Sequence, residues 1–255
     1  MHIRMVLADP AGNLTAFALS PVGAEERAEI AARIMRAARA EQVAFVDEES
    51  LLSPLPRMDM MGGEFCGNAT RAFALYAAGR RGRGETRLCV SVSGAREPVR
   101  VTLDPARGRA WAQMPLPVAL EEIAAAGRKI PLVRMEGIAH AVLRGEEPSP
   151  ELARAVLAAM PQEDAQGVLF SQGSRMTPLV RVAATDTCVW ESSCGSGSVA
   201  LAWLLSRALP DGRHVFSFEE PGGAPEVSIH MRAGRAISAT MGGRVTLGAE
   251  RETDV

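Results

Sequence analysis

Residues 66–75 read CGNATRAFAL, and residues 194–203 read CGSGSVALAW. Cysteine, glycine and two alanines coincide (Cys66/Cys194, Gly67/Gly195, Ala72/Ala200, Ala74/Ala202), and Thr70 faces Ser198. A period of about half the 255-residue chain means a duplicated domain, because solenoid repeats run only roughly 20–50 residues. The chain is therefore expected to fold as two related halves. The proline-containing segment MPLPVAL (114–120) marks the boundary, giving an N-terminal half at 1–115 with Cys66 and a C-terminal half at 116–255 with Cys194. The last residues are able to return to the N-terminal half.

Each copy predicts a helix with a cysteine at its mouth. After Cys66, Ala69, Ala72, Phe73 and Tyr76 fall at i, i+3, i+4 and i+7, which predicts an amphipathic helix stopping near Gly79, before the basic RRGRG. After Cys194, the run Val199 to Leu205 is apolar all round, which predicts a buried central helix ended by Pro210. Glycine follows each cysteine and removes side-chain bulk where a ligand would meet the backbone. The unpaired N–H groups of a first helical turn stabilise a thiolate and can also bind a carboxylate. If the two mouths serve one substrate, one sulfur can take the α-proton from one face and the other can return a proton to the opposite face. That is racemisation by two bases. A single Cys-Gly at a helix start is more often a small buried residue at a turn, but two matching copies reverse that judgement. Cys89 and Cys188 lie in alternating apolar strands without a following glycine and read as ordinary strand residues.

The remaining chain is rich in short strand-like runs bounded by Gly, Pro and Asp. Further helices are expected over 23–40, with a buried stripe at Ile30, Ile34 and Ala38, and near 150–160, with Leu152, Val156 and Met160 on one side. The run EVSIHMRAGRAISATMGG predicts a hairpin turning at Ala233-Gly234. Helices are too sparse for a parallel βαβ series, so a mixed α/β (α+β) fold fits better, each half a curved sheet around a helix. The net charge of −2 argues against nucleic-acid binding, whose affinity comes largely from positive charge. No apolar run reaches roughly 18 residues and the start MHIRMVLADPAGN has no long apolar stretch, so neither a membrane span nor a signal peptide is expected. A cytoplasmic location follows, in which the four cysteines stay largely reduced. They form no CxxC pair and the four histidines lie far apart, so no metal site is expected.

These residues resemble the diaminopimelate epimerase-like superfamily of cofactor-independent amino-acid racemases and epimerases, over nearly the whole chain. AGN (11–13) is similar to the family's N-terminal Gly-Asn loop, EQVAFVD (41–47) to a strand whose leading polar residue lines the site, and GIAHAV (137–142) to its Gly-Asn-Pro-His motif. The resemblance implies the diaminopimelate epimerase-like fold, with two pseudo-symmetric halves that each wrap a mixed sheet around a central helix. It implies Cys66 and Cys194 as the acid/base pair, one starting as thiolate and the other as thiol. Gly67, Asn68, Gly195 and Ser196 would offer amides to the α-carboxylate, Asn13 would contact substrate, and His140 would tune a thiol. Oriented amides would then stabilise the carbanion-like transition state. Neither pyridoxal phosphate nor a metal is implied.

The sequence departs from diaminopimelate epimerases where those hold the distal end of their substrate. Ile138 and Gly167 stand where the family has asparagines, and Thr185 and Asp186 stand where it has a Glu-Arg pair. Losing groups built to bond a polar end removes selection for it. RMDMMGGEFCGNATRAFAL and VWESSCGSGS instead resemble the histidine racemase branch, whose members include enzymes making D-histidine for opine-type metallophores. Glu41 or Gln42 could accept a hydrogen bond from an imidazole, or could equally be a solvated helix end before a strand. Glu64 and Glu191 are open to the same role or to steadying the cysteine loops. The expected partner is a small amino acid, with no nucleic acid and no membrane, and a homodimer is compatible with the sequence. Competing readings are a diaminopimelate epimerase or racemase of another amino acid, a cysteine hydrolase or redox protein, and a non-catalytic carboxylate-binding module.

Overall fold

The computed structural model describes residues 1–82, 84–183 and 187–254. Its strands form two sheets and its helices are few, a mixed α+β architecture. The chain divides into two compact units, residues 1–113 with 242–255, and residues 114–241.

In the first unit the strands lie in the order Arg109–Met114, Val99–Asp104, Arg87–Val92, Arg57–Met60, Gln42–Asp47, Thr15–Ala18, His2–Asp9 and Thr246–Leu247. Arg251–Asp254 also pairs with the first strand, antiparallel, with Ile3 opposite Thr253. Two neighbouring pairs are parallel, and each needs a crossover. Helix α1 (Arg27–Ala38) supplies one, between Thr15–Ala18 and Gln42–Asp47; helix α2 (Gly67–Arg81) supplies the other, between Arg57–Met60 and Arg87–Val92. Alternation along the strands then sorts the core. Val6, Ala8, Phe17, Ala44 and Val46 pack with α2, whereas Ile3, Met5, Ala16, Val43 and Phe45 pack with Ile30, Ile34 and Ala38 of α1. The Phe17 and Phe73 rings meet edge to face at 6.1 Å, an arrangement the ring quadrupoles favour.

In the second unit a six-stranded sheet runs Thr187–Trp190, Arg175–Val182, Ala165–Gln172, Ile138–Arg144, Arg128–Met135 and Ala119–Ala125. Its parallel pair, Ile138–Arg144 with Ala165–Gln172, is bridged by helix α3 (Pro150–Ala159), which Ser149 caps by accepting from Leu152 N–H. Val156 and Met160 pack on Ala141, Val168 and Phe170. Helix α4 (Gly195–Ser206) lies against Arg128–Met135, Ile138–Arg144, Ala165–Gln172 and Glu226–Arg232. The predicted hairpin joins Glu226–Arg232 to Arg235–Arg244, with φ of 50° at Ala233 and 70° at Gly234, the paired positive values of a tight two-residue turn.

Four details of the helices differ from expectation. The helix after Cys66 is not amphipathic: every residue from Gly67 to Ala78 is buried. The polar residues that suggested a wet face are satisfied inside, as buried polar groups must be; Thr70 Oγ1 donates to the Cys66 carbonyl at 2.7 Å and Arg71 Nε to Asn68 Oδ1 at 3.2 Å. That helix also passes Gly79 to end at Arg81, where Gly82, at φ 64°, closes it in the left-handed conformation. The helix after Cys194 ends at Ser206, short of Pro210, and there the serine hydroxyl donates back to the Ala202 carbonyl at 2.8 Å. The first helix begins with a 3-10 turn at Ala24–Glu26 and stops at Ala38, with Arg39 in the left-handed region.

Candidate active site

The cysteine of each repeat is the N-cap of its helix. Cys66 has φ −125° and ψ 111°, and its sulfur accepts from Ala69 N–H at 3.4 Å; Cys194 has φ −118° and ψ 102°, and its sulfur accepts from Gly197 N–H at 3.4 Å. N-caps are usually Ser, Thr, Asp or Asn, whose oxygen quenches an orphan amide. Here a sulfur holds that place, so each thiol meets the positive end of a helix dipole. Cys66 is half-buried and Cys194 is 4% exposed, whereas Cys89 and Cys188 are exposed on strands.

In the first unit a chain of hydrogen bonds ties the N-terminal loop to the Cys66 thiol. Gln42 Nε2 donates to Cys66 Sγ at 3.3 Å and to Thr15 Oγ1 at 2.7 Å, and Thr15 Oγ1 donates to the Asn13 carbonyl at 3.1 Å. Ala11, Gly12 and Asn13 all have positive φ (60°, 97° and 65°), a costly conformation for two non-glycine residues in succession around one glycine. The loop is held by Asp9 Oδ1 accepting from Gly12 N–H at 3.0 Å, by Glu41 Oε1 accepting from Leu14 N–H at 3.2 Å, and by Arg71, which donates to the Pro10 carbonyl. Arg71 is fully buried, and its other donors reach the Gly243 and Arg244 carbonyls at 3.3 and 3.0 Å. Burial pulls this guanidinium down to about 10, while the charges of Cys66 and Asp9 support it. The loop before Cys66 rests on a turn the sequence did not single out. Ser93 Oγ donates to the Glu64 carbonyl at 3.0 Å, and a Cβ on Gly94 would lie 2.2 Å from Phe65 N. Glu64 turns back to accept from Gly62 N–H at 2.9 Å.

In the second unit the Cys194 amide donates to Glu220 Oε2 at 2.6 Å, and Ser198 Oγ donates to Glu220 Oε1. Glu220 stands in a tight turn where its own N–H reaches the Gly223 carbonyl at 2.7 Å and Gly222 N–H reaches the Ser192 carbonyl at 2.7 Å. Burial raises its carboxyl to about 7 against the pull of Ser198, the Cys194 amide and Ser193. His140 lies wholly buried on its strand with Nε2 2.9 Å from Ser196 Oγ, which is 3.5 Å from Cys194 Sγ. His140 Nδ1 has no hydrogen-bond partner, so the neutral tautomer protonated at Nε2, which avoids an orphaned buried N–H, fits best. Burial holds this imidazole down at about 3, so it is neutral. Burial and then Glu191 push the Cys194 thiol well up, with Glu220 adding to them, while Ser196 and the Gly197 amide pull the other way.

Of the expected residues, Asn13, Gln42, Gly67 and Asn68 gather with Cys66 in the first unit, with exposed Glu41 bracing the loop from outside; His140, Gly195 and Ser196 gather with Cys194 in the second. Gln42, one of the two residues that could accept from an imidazole, gives its amide hydrogens to Thr15 and the thiol. Asn68 lends its side-chain oxygen to Arg71. Thr185 and Asp186 lie outside the described residues. Glu220, Arg71 and Gly94 were missed; of these only Glu220 carried a local signal, the Pro-Gly-Gly after it that marks a turn. Among the described residues no three His, Cys, Asp or Glu side chains gather as a metal site would require, and no helix is long and apolar enough to cross a membrane.

A family model described as the histidine racemase CntK N-terminal domain matches residues 2–253. A histidine racemase of Fusobacterium nucleatum subsp. nucleatum is 35% identical over 182 residues, 66% of each chain, so the match spans just under two thirds of that relative's length. Among solved structures, a phenazine biosynthesis protein PhzF family member from Enterococcus faecalis superposes with a TM-score of 0.66 at 17% identity, covering 100% of both chains. A hydroxyproline epimerase from Agrobacterium vitis superposes with a TM-score of 0.65 at 14% identity, covering 98% of this chain and 92% of that one. At these identities the two structures speak for the fold.

Proposed function

The chain belongs to the family described as the histidine racemase CntK N-terminal domain, and from that membership we propose that it is a cofactor-independent isomerase that racemises histidine. The observation that carries the reading is the matched pair of helix mouths, each with a cysteine sulfur as its N-cap. A thiol in that setting has both an anion-stabilising dipole and first-turn amides for a carboxylate. Cys66 and Cys194 act as the two bases, one removing the α-proton and the other returning a proton to the opposite face. Gly67, Asn68, Gly195 and Ser196 supply amides to the α-carboxylate and Asn13 contacts substrate. The duplication supports placing the fold with the diaminopimelate epimerase-like enzymes. Two thiols in continuous use suit a reducing compartment such as the cytoplasm. The ligand is a small amino acid, with nucleic acid and membrane playing no part, and a homodimer is compatible with this reading. Metallophore synthesis is the use that the family resemblance suggests for the D-histidine.

The test is incubation in deuterated water with single L-amino acids, following deuterium at the α-carbon together with loss of optical rotation. Histidine is expected to exchange and racemise. Exchange of diaminopimelate or another amino acid in its place would move the substrate assignment, and exchange of none would remove the racemase reading. Cys66→Ser and Cys194→Ser should each lower racemisation by about 10²–10⁴-fold, the range of positioned acid–base catalysis. Full activity in either would take that cysteine out of the mechanism.

A further inference from the structure

The two helix mouths share a cap geometry but differ in the buried charge beside them. On α2 the neighbouring ion is the Arg71 guanidinium, fully buried, which donates to Asn68 two residues beyond Cys66 and otherwise to the Pro10, Gly243 and Arg244 carbonyls. All its hydrogen-bond acceptors are neutral, and Asp9 acts on it through charge alone, beside Cys66. Cys66 also receives donors from Gln42 and Ala69. On α4 the neighbouring ion is the Glu220 carboxylate, whose Oε2 is 2.6 Å from the Cys194 amide nitrogen. The charged groups bearing on Cys194 are Glu191, just before it in sequence, and Glu220; His140, reaching it through Ser196, is neutral. Like charge in a low-dielectric place disfavours a thiolate and opposite charge favours it.

We infer that Arg71 and Glu220 set the two thiols in opposite resting states, Cys66 as the thiolate and Cys194 as the thiol, so that Cys66 is the base that opens turnover. The inference rests on the two-thiol reading above and assigns its direction. In the first half-reaction the Cα–H bond breaks and the proton passes to the Cys66 sulfur. The electron pair left on the α-carbon then takes the proton of the Cys194 S–H. The product leaves Cys66 as thiol and Cys194 as thiolate, with no net change of charge or oxidation state. Arg71 and Glu220 are positioning residues here, acting through the sulfurs without touching the reacting carbon. The upward push that burial, Glu191 and Glu220 exert on Cys194 points the same way.

The experiment is brief iodoacetamide labelling of the whole protein without substrate at a series of pH values, with mass spectrometry resolving each cysteine. The pH midpoint of labelling, unlike its absolute rate, does not depend on how accessible the sulfur is. Exposed Cys89 and Cys188 are the internal references. Cys66 is expected to ionise at least one pH unit below Cys194, and Cys194 above both references. Glu220→Gln should bring the Cys194 midpoint down towards the references and leave Cys66 where it was. Arg71→Met should raise the Cys66 midpoint, whereas Arg71→Lys, which keeps the charge, should not. A Cys194 midpoint at or below that of Cys66 in the unaltered protein overturns the assignment whether or not any variant folds, and so does a Cys194 midpoint indifferent to Glu220→Gln. Because the labelling needs no substrate, failure of the racemase reading would show separately, as absent α-deuterium exchange.

Discussion

A Cβ at position 167 would lie 2.1 Å from Nδ1 of His140, so the glycine is what gives the imidazole its place. The ring in turn meets Ser196, and Ser196 meets the Cys194 sulfur. Gly167→Ala should therefore displace the ring and cost about 1–3 kcal/mol, the usual penalty for overpacking a filled interior. Urea midpoints of the two proteins check it, and an unchanged midpoint would mean the ring has room to move.

Gly94→Ala meets two penalties at once. Its φ of 70° disfavours any side chain, and the new methyl would press on Phe65 N in the loop that delivers Cys66. The expected result is a destabilisation of about 1–3 kcal/mol together with a fall in racemisation. Thermal melts and the deuterium assay read the two effects, and a variant with normal rate and melting would refute the support ascribed to this turn.

Acid should weaken the fold through His140. Its folded value of about 3 lies below the ordinary 6.5, so the unfolded chain binds the extra proton between those values. The stability it contributes is complete above pH 6.5 and drains away as the pH falls towards 3, on the order of 5 kcal/mol in total. Denaturant midpoints at pH 7 and pH 4 should fall further for the natural protein than for His140→Asn. Equal falls would show that the imidazole is not held neutral by burial.

Glu220 contributes a slope of opposite sign. Its folded value of about 7 lies above 4.5, so its contribution is whole below pH 4.5 and is lost as the pH rises through 7. Glu220→Gln should remove that loss, so its stability relative to the natural protein should rise between pH 5 and pH 8. A difference that stays constant with pH would mean the carboxylate titrates normally.

What could be read in advance was what recurs locally. The capping cysteines, the glycines behind them and the turn at Ala233-Gly234 follow from spacing and from positive-φ chemistry. The wet face assigned to the helix after Cys66 failed because its polarity is spent inward, Arg71 on carbonyls that belong to residues 10, 243 and 244. Such partners are set by tertiary contact, which a window of eighteen residues cannot contain. Glu220 escaped for the same reason, the second of two adjacent acids before a turn, whose partner Cys194 lies on another element. Gln42 was picked out as polar at a strand start, but only the fold shows that its amide is turned towards sulfur.

Two of the three carbonyls that enclose Arg71, those of Gly243 and Arg244, come from near the opposite end of the chain, and Arg251–Asp254 completes pairing with the very first strand. During synthesis, then, the Arg71 guanidinium waits with only its Pro10 and Asn68 partners while the entire second unit is made. A chain truncated before residue 242 would keep every partner of Glu220 but lack two of the acceptors of Arg71.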